Sequence, residues 1–251
     1  MNKLIKNREY MKLFIANTIS RFGDSVDMIA YGFMVYQLTG SKILLATIYV
    51  FNLLPSILFS SFAGAVVDYI SKKKIIVVGS FLRGGFVLLT AFLYRQELLL
   101  PWHLFGLTFL HSTVEAFVSP SVSDVVPRMV EEEHYIQVNS TMQSISRMVE
   151  LLGMGIAGAI IAWVGIAGAM LTDAITFLIA GFIVLRTIFP KEEKRKLTKK
   201  AYQSSYKEGL QFVLRTKGML PLMLSMALLN FFLTPINALA PAYVEDVLRK
   251  G

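Results

Sequence analysis

Long apolar runs separated by short polar clusters set the character of this chain. Seven stretches reach the roughly 20 mostly apolar residues that a membrane-spanning helix needs: Lys12 to Leu38, Ile43 to Val67, Ile75 to Tyr94, Pro101 to Val125, Met142 to Trp163, Ile166 to Phe189 and Met219 to Tyr243. The breaks carry turn or charge signals, namely Thr39-Gly40-Ser41, Ser71 to Lys74, Arg95-Gln96-Glu97, Glu131 to Glu133, the short Val164-Gly165 and the long Pro190 to Gly218. None of the runs shows the charged outer face, repeating at helical spacing, that a soluble amphipathic helix requires. The pattern predicts an all-α, polytopic transmembrane bundle. No cleavable signal peptide is expected, because the first apolar run is too long for one and carries Arg21, Asp24 and Asp27.

Composition sharpens this picture. Of the 251 residues, 55% are hydrophobic and 17% charged, against about 45–50% and 25% in ordinary soluble domains. The net charge of +8 would suggest nucleic acid if the basic residues formed one patch on a soluble fold, but they follow a membrane topology instead. With the N-terminus cytoplasmic, seventeen Lys and Arg fall on the inner side and four (Lys42, Arg95, Arg249 and Lys250) outside. Positive loops are retained in the cytoplasm, so the N-terminus is expected inside and the end of the sequence outside, in the cell membrane. Nine of the inner residues lie between Lys191 and Lys217, where each Lys or Arg near anionic headgroups contributes about 1 kcal/mol. Within that stretch Tyr206, Leu210, Val213 and Leu214 share a helical face, which suits a helix lying on the bilayer. The chain has no cysteine, which excludes disulfides and thiolate chemistry.

Charges inside spans are costly, at least about 2.5–3.5 kcal/mol at a helix centre, and normally face the bundle interior in pairs. Arg21, Asp24 and Asp27 lie along one face of the first span; Arg83 in the third and Glu115 in the fourth fall at similar depth. Two basic and three acidic groups leave one carboxylate uncompensated, which should bind a proton or a cation. Proton coupling or cationic-substrate binding is one reading; Arg21 pairing with Asp24, and Arg83 with a second acid, as purely structural pairs is the other. Arg147 and Glu150, three apart, read as an ion pair, and Asp173 as a capping or pairing group. His103, His111 and His134 share no metal-ligand spacing, so no metal is assigned and each is read as structural.

Between the second and third spans, Gly64, Asp68, Ser71, Lys73 and Lys74 stand at the spacing of the loop signature of the major facilitator superfamily, with Tyr69 where a basic residue is usual. Gly23-Asp24, Val35 to Ser41, Pro120, Pro127, Asn139-Ser140, Asp173-Ala174 with Phe177, and Tyr206 to Phe212 further resemble its macrolide-efflux and multidrug-exporter branch. The resemblance implies two six-helix halves, each of two three-helix repeats, around a site at mid-membrane. On that basis 1–189 is the N-terminal six-helix half, 190–218 a basic cytoplasmic linker, and 219–251 the seventh helix of a second half whose other five helices are missing. The 64–74 loop is then a gate that clamps the halves. Gly64 allows close helix approach, and Asp68, at a helix C-terminus, needs a cationic or N–H partner. The simpler alternative is a turn that fixes topology. Gly153, Gly155 and Gly158 stand where exporters carry a glycine motif and are read as packing, with gating as the alternative.

The implied function is proton-driven export of drugs or other amphipathic small molecules by alternating access, with the proton gradient in place of a cofactor and a bacterial membrane as the setting. Phe51, Phe59, Phe86, Phe105 and Phe117 either wall the cargo site or face lipid. The alternative is a truncated, transport-inactive half that needs a partner. The lipid bilayer and a small-molecule substrate are the expected partners, and nucleic acid is not. A seven-helix retinal-type photoprotein is disfavoured because the seventh span has no lysine for a Schiff base. An enzyme is disfavoured because no Walker motif, nucleophile elbow or other catalytic constellation appears.

Overall fold

The computed structural model describes residues 7–67, 69–190, 211 and 213–243, and among these it contains helices and turns but no strand. The helices are α1 (Arg8–Thr39), α2 (Lys42–Val67), α3 (Lys72–Arg95), α4 (Pro101–Met129), α5 (Tyr135–Leu185) and α6 (Met219–Tyr243), with a 3₁₀ turn at Glu132–His134. By length and composition alone, α2, α3 and α5 suffice to cross a membrane. The Asn7 side chain caps α1 by accepting hydrogen bonds from the Glu9 and Tyr10 N–H groups, and the Gly40 N–H closes its other end on the Tyr36 carbonyl.

The fifth and sixth predicted spans follow one another within α5, 51 residues long, as two helices that meet at a kink. Straight, it would run about 1.5 Å per residue, more than twice the thickness of a hydrocarbon core. Gly165, with φ 73° and ψ 173°, breaks it in a conformation that residues with a Cβ avoid. Gly153 on one arm and Asp173 and Thr176 on the other all meet the same turn of α1, at Phe22, Gly23 and Ser25. The two arms, 135–164 and 166–185, therefore double back as a hairpin.

Both arms of α5 pack on α1, the second also lies against α3, α2 pairs with α4, and α6 rests against α1 and α2. In lipid, apolar area gives little drive for helix association, so close backbone approach matters most. Gly23 supplies it: a side chain there would collide with Thr176 and Asp173. Gly153 does the same against Ser25 and Phe22, and Ala157, one turn on, is fully buried. Among the described residues nothing packs on Gly155 or Gly158; both are exposed, with open space where a Cβ would stand. Residues two and five positions from Gly153 point away from the face that 153 and 157 share. Gly64 likewise is exposed and makes no tight contact among the described residues.

The α2 and α4 pair is built differently, from an aromatic ladder. Phe51 meets Phe105 edge-on at 5.2 Å and Phe109 at 5.8 Å; Phe59 meets Phe109 at 6.4 Å and Phe117 at 6.3 Å. Spacings of 4.5–7 Å are those of favourable ring pairs. Four of the five phenylalanines expected to wall a cargo site or face lipid thus join two helices.

Two apolar cores result. One, at the Gly40 end, includes Val26, Met34, Leu45, Leu104, Met170 and Phe177; the other, at the Asn7 end, includes Leu13, Ile76, Val125, Met129, Val138 and Val184. A polar clamp closes the Asn7 end. The Asn7 side chain donates to the Met129 carbonyl at 2.6 Å, Lys73 to the Thr187 carbonyl at 2.8 Å, and the Ile188 N–H to Glu9 at 2.6 Å. Glu9 also pairs with Lys12 at 2.7 Å, and Lys72, buried, lies 3.7 Å from Asp124.

Candidate functional site, a charged layer between two cavities

Arg83 occupies the gap between the two cores. It is 7% exposed and reaches three elements at once. Nη2 donates to Asp24 of α1 at 2.7 Å, Nη1 to Glu115 of α4 at 2.7 Å, and Nε to Nε2 of His111 on α4 at 2.9 Å. Its guanidinium carbon lies 4.1 Å from the centroid of the Phe177 ring on α5, within the range of a cation–π contact. Every guanidinium nitrogen is engaged. Such charge-assisted bonds in low dielectric are strong, and losing one partner leaves an uncompensated buried charge.

The five charged residues expected to act together converge here unequally. Asp24 and Glu115 share Arg83, so the pairing of Arg21 with Asp24 does not form; Arg21 makes no ion pair among the described residues. Asp27 lies one turn from Gly23, and its Oδ1 is buried without a hydrogen-bond partner. Two residues read as merely structural belong to the cluster. His111 stands one helical turn before Glu115, on the same face of α4, and its ring also meets Phe177 at 5.8 Å. Asp173, fully buried, abuts Gly23; one oxygen faces the Thr176 hydroxyl at 3.3 Å and the other has no hydrogen-bond partner. The layer therefore holds two guanidiniums against four carboxylates, a larger acidic excess than the sequence count.

Cavities open on both sides of this layer. One, of about 430 Å³, extends towards the Asn7 end past Asn17, Ser20, Asn139, Gln143 and Arg147. The other, of about 780 Å³, extends towards the Gly40 end past Met28, Tyr31, Tyr49, Asn52, Phe86 and His111. Arg21, Asp24, Arg83, Glu115, Ser119 and Ser123 line both. Asp27 lines only the larger. Of the candidate aromatics, Phe86 alone lines either of these two cavities. Arg147 pairs with Glu150 at 2.9 Å at the wall of the smaller cavity.

The signature loop sits apart, at the Asn7 end. Asp68 lies outside the described residues, as do Tyr206, Leu210 and most of the basic linker. Ser71 precedes α3 without making a side-chain cap, Lys73 holds Thr187, and Lys74 is exposed.

A helical bundle with paired charges at mid-depth and a cavity on either side is the architecture of a membrane carrier. The family described as transmembrane secretion effector, within the major facilitator superfamily, matches residues 4–251, and the chain belongs to it. Relatives include the uncharacterized MFS-type transporter YkuC of Bacillus subtilis, 25% identical over 91% of this chain and 55% of its own length. Macrolide efflux protein A of Streptococcus pyogenes is 24% identical over 95% of this chain and 59% of its own length. The protein of the same name from Enterococcus faecalis is 26% identical over 77% and 60% respectively. The chain thus spans less than two thirds of the length of these relatives.

Proposed function

We propose that this polypeptide serves in a secondary transporter that exports amphipathic small molecules, macrolides among them, by alternating access coupled to proton entry. The single observation that carries the reading is the Arg83 cluster, which lies between two cavities and is shared by both. Alternating access needs such an element, one that opposite cavities meet and whose charge balance a proton can change. With the N-terminus cytoplasmic, as the distribution of Lys and Arg favours, the smaller cavity is the inner one and the larger, less polar cavity the outer. In the closed arrangement Asp24 and Glu115 neutralise Arg83. Protonating either weakens that hold, and a cationic cargo competes with Arg83 for the same carboxylates.

A second reading draws on Arg21, which has no ion pair among the described residues, and on the 55–60% of the relatives' length that the chain covers: this polypeptide is one half of a carrier and is silent until a partner supplies the opposing helices. Efflux of ethidium and erythromycin from cells expressing the 251-residue chain decides between them. The first reading expects lowered accumulation of both compounds. The second expects accumulation equal to that in empty-vector cells until the remaining helices are co-expressed.

A further inference from the structure

The hydrogen-bond directions around Arg83 constrain His111 in a way that the ion pairs do not. A guanidinium has donors only, so the Arg83 Nε–H bond to His111 Nε2 requires a lone pair on Nε2. The imidazole in this arrangement is therefore neutral, with its proton on Nδ1. Arg83 from α3 and the Phe177 ring from α5 touch it, and Glu115 on its own helix with Arg21, Asp24 and Asp27 from α1 line the same cavity. His111 lines the larger cavity and not the smaller one, so water reaches it from the Gly40 side.

We propose that His111 is a proton-binding residue whose availability is set by Arg83. While Arg83 bridges Asp24 and Glu115, the Nε2 lone pair is occupied. When Arg83 withdraws, that lone pair is free to take a proton from water in the larger cavity. Nδ1 keeps its hydrogen, and the ring becomes an imidazolium. An imidazolium cannot accept from Arg83 and repels it, so the layer does not re-form until the proton leaves. Proton uptake and the opening of the layer are thereby tied to one nitrogen atom. This inference rests on the coupling reading above and names the residue at which uptake and opening meet.

The chain contains three histidines, which makes a direct test practicable. Nitrogen-15 and carbon-13 histidine NMR of the whole detergent-solubilised chain, assigned with His103→Gln, His111→Gln and His134→Gln, reads tautomer and charge at each ring. The wild-type His111 signal is expected to show the neutral Nδ1–H form throughout pH 8 to pH 5. In Asp24→Asn/Glu115→Gln, which removes both ion-pair partners of Arg83, His111 is expected to become cationic over that interval. Arg83→Met, which removes the donor, is expected to do the same and serves as a second variant if the first fails to fold. Unchanged His103 and His134 signals certify an intact fold. A cationic wild-type His111 at any pH in the interval, or a neutral His111 in folded variants, overturns the proposal. If His111 stays neutral in those variants while single carboxylate changes still abolish proton antiport, the proposal falls and the coupling reading stands.

Discussion

The charged layer and the clamp at the Asn7 end are made from the same kinds of residue and behave differently. Both join helices through Arg or Lys, carboxylates and short hydrogen bonds. In the clamp, two of the hydrogen bonds run from a side chain to a backbone carbonyl at a helix end, at Met129 and Thr187, and a third brings the Ile188 N–H to Glu9. Those groups are left over when a helix stops, so the clamp satisfies an existing need. In the layer, side chains meet side chains, with Arg83 7% exposed and every one of its nitrogens committed. The first two bonds of the clamp are anchored to backbone carbonyls that cannot change charge. The layer is anchored to titratable side chains, Asp24, Glu115 and His111.

The sharpest way to break the comparison is Arg83→Ala. Removing the shared cation leaves the half-buried Asp24 and Glu115 without their ion-pair partner, for which a loss towards the lower end of the about 3–5 kcal/mol of a fully buried pair is expected. Thermal unfolding in detergent should show a larger fall than either a glycine replacement or a change in the clamp produces, and a variant as stable as wild type would show that the layer is not held by charge. Gly23→Leu comes next. It forces α1 away from Thr176 and Asp173, with an expected cost of about 1–3 kcal/mol for overpacking, whereas Gly155→Leu, facing open space, should leave the unfolding temperature nearly unchanged. Equal effects at the two glycines would remove the distinction drawn between their faces.

The smallest effect belongs to the clamp. The Lys12 ammonium, with the Ile188 N–H, holds the Glu9 carboxyl below its usual value of 4.5. A group whose value is lowered by folding stabilises the fold fully above its unfolded value and loses that contribution as pH falls through the folded one. Wild type should therefore lose slightly more thermal stability than Glu9→Gln between pH 6 and pH 3, a difference measured by differential scanning fluorimetry. Exposed pairs contribute little, so a large difference would mean that the clamp resembles the layer.

Much of this architecture is legible in the sequence, because bilayer thickness imposes a minimum length on every apolar run. The predicted runs and breaks coincide with the helices of the described chain, and Val164-Gly165 marks the hairpin within α5. Arg83, Asp24 and Glu115 are legible as a group because a charge in a span must find a partner at its own depth. The partner itself is not. Residue spacing favours Arg21 for Asp24, since both lie on α1, but the position of α3 gives Asp24 to Arg83. His111 escapes a reading of the sequence although it stands one turn from Glu115, because a neutral histidine carries no obligatory charge to be paired. Asp173 escapes it because its burial depends on Gly23, which lets α1 approach α5, a contact between residues 150 positions apart. The glycines at 64, 155 and 158 meet no described neighbour; a glycine permits close approach but does not say which neighbour arrives.

In the proposed cycle the carboxylates holding Arg83 exchange protons during transport. That exchange is tested most directly in inverted membrane vesicles with an acidified lumen, where a pH-sensitive dye follows the protons released when erythromycin or ethidium is added. The wild-type chain is expected to give a substrate-evoked release that Asp24→Asn and Glu115→Gln each abolish or greatly reduce. Equal release from all three proteins would contradict proton exchange at these carboxylates.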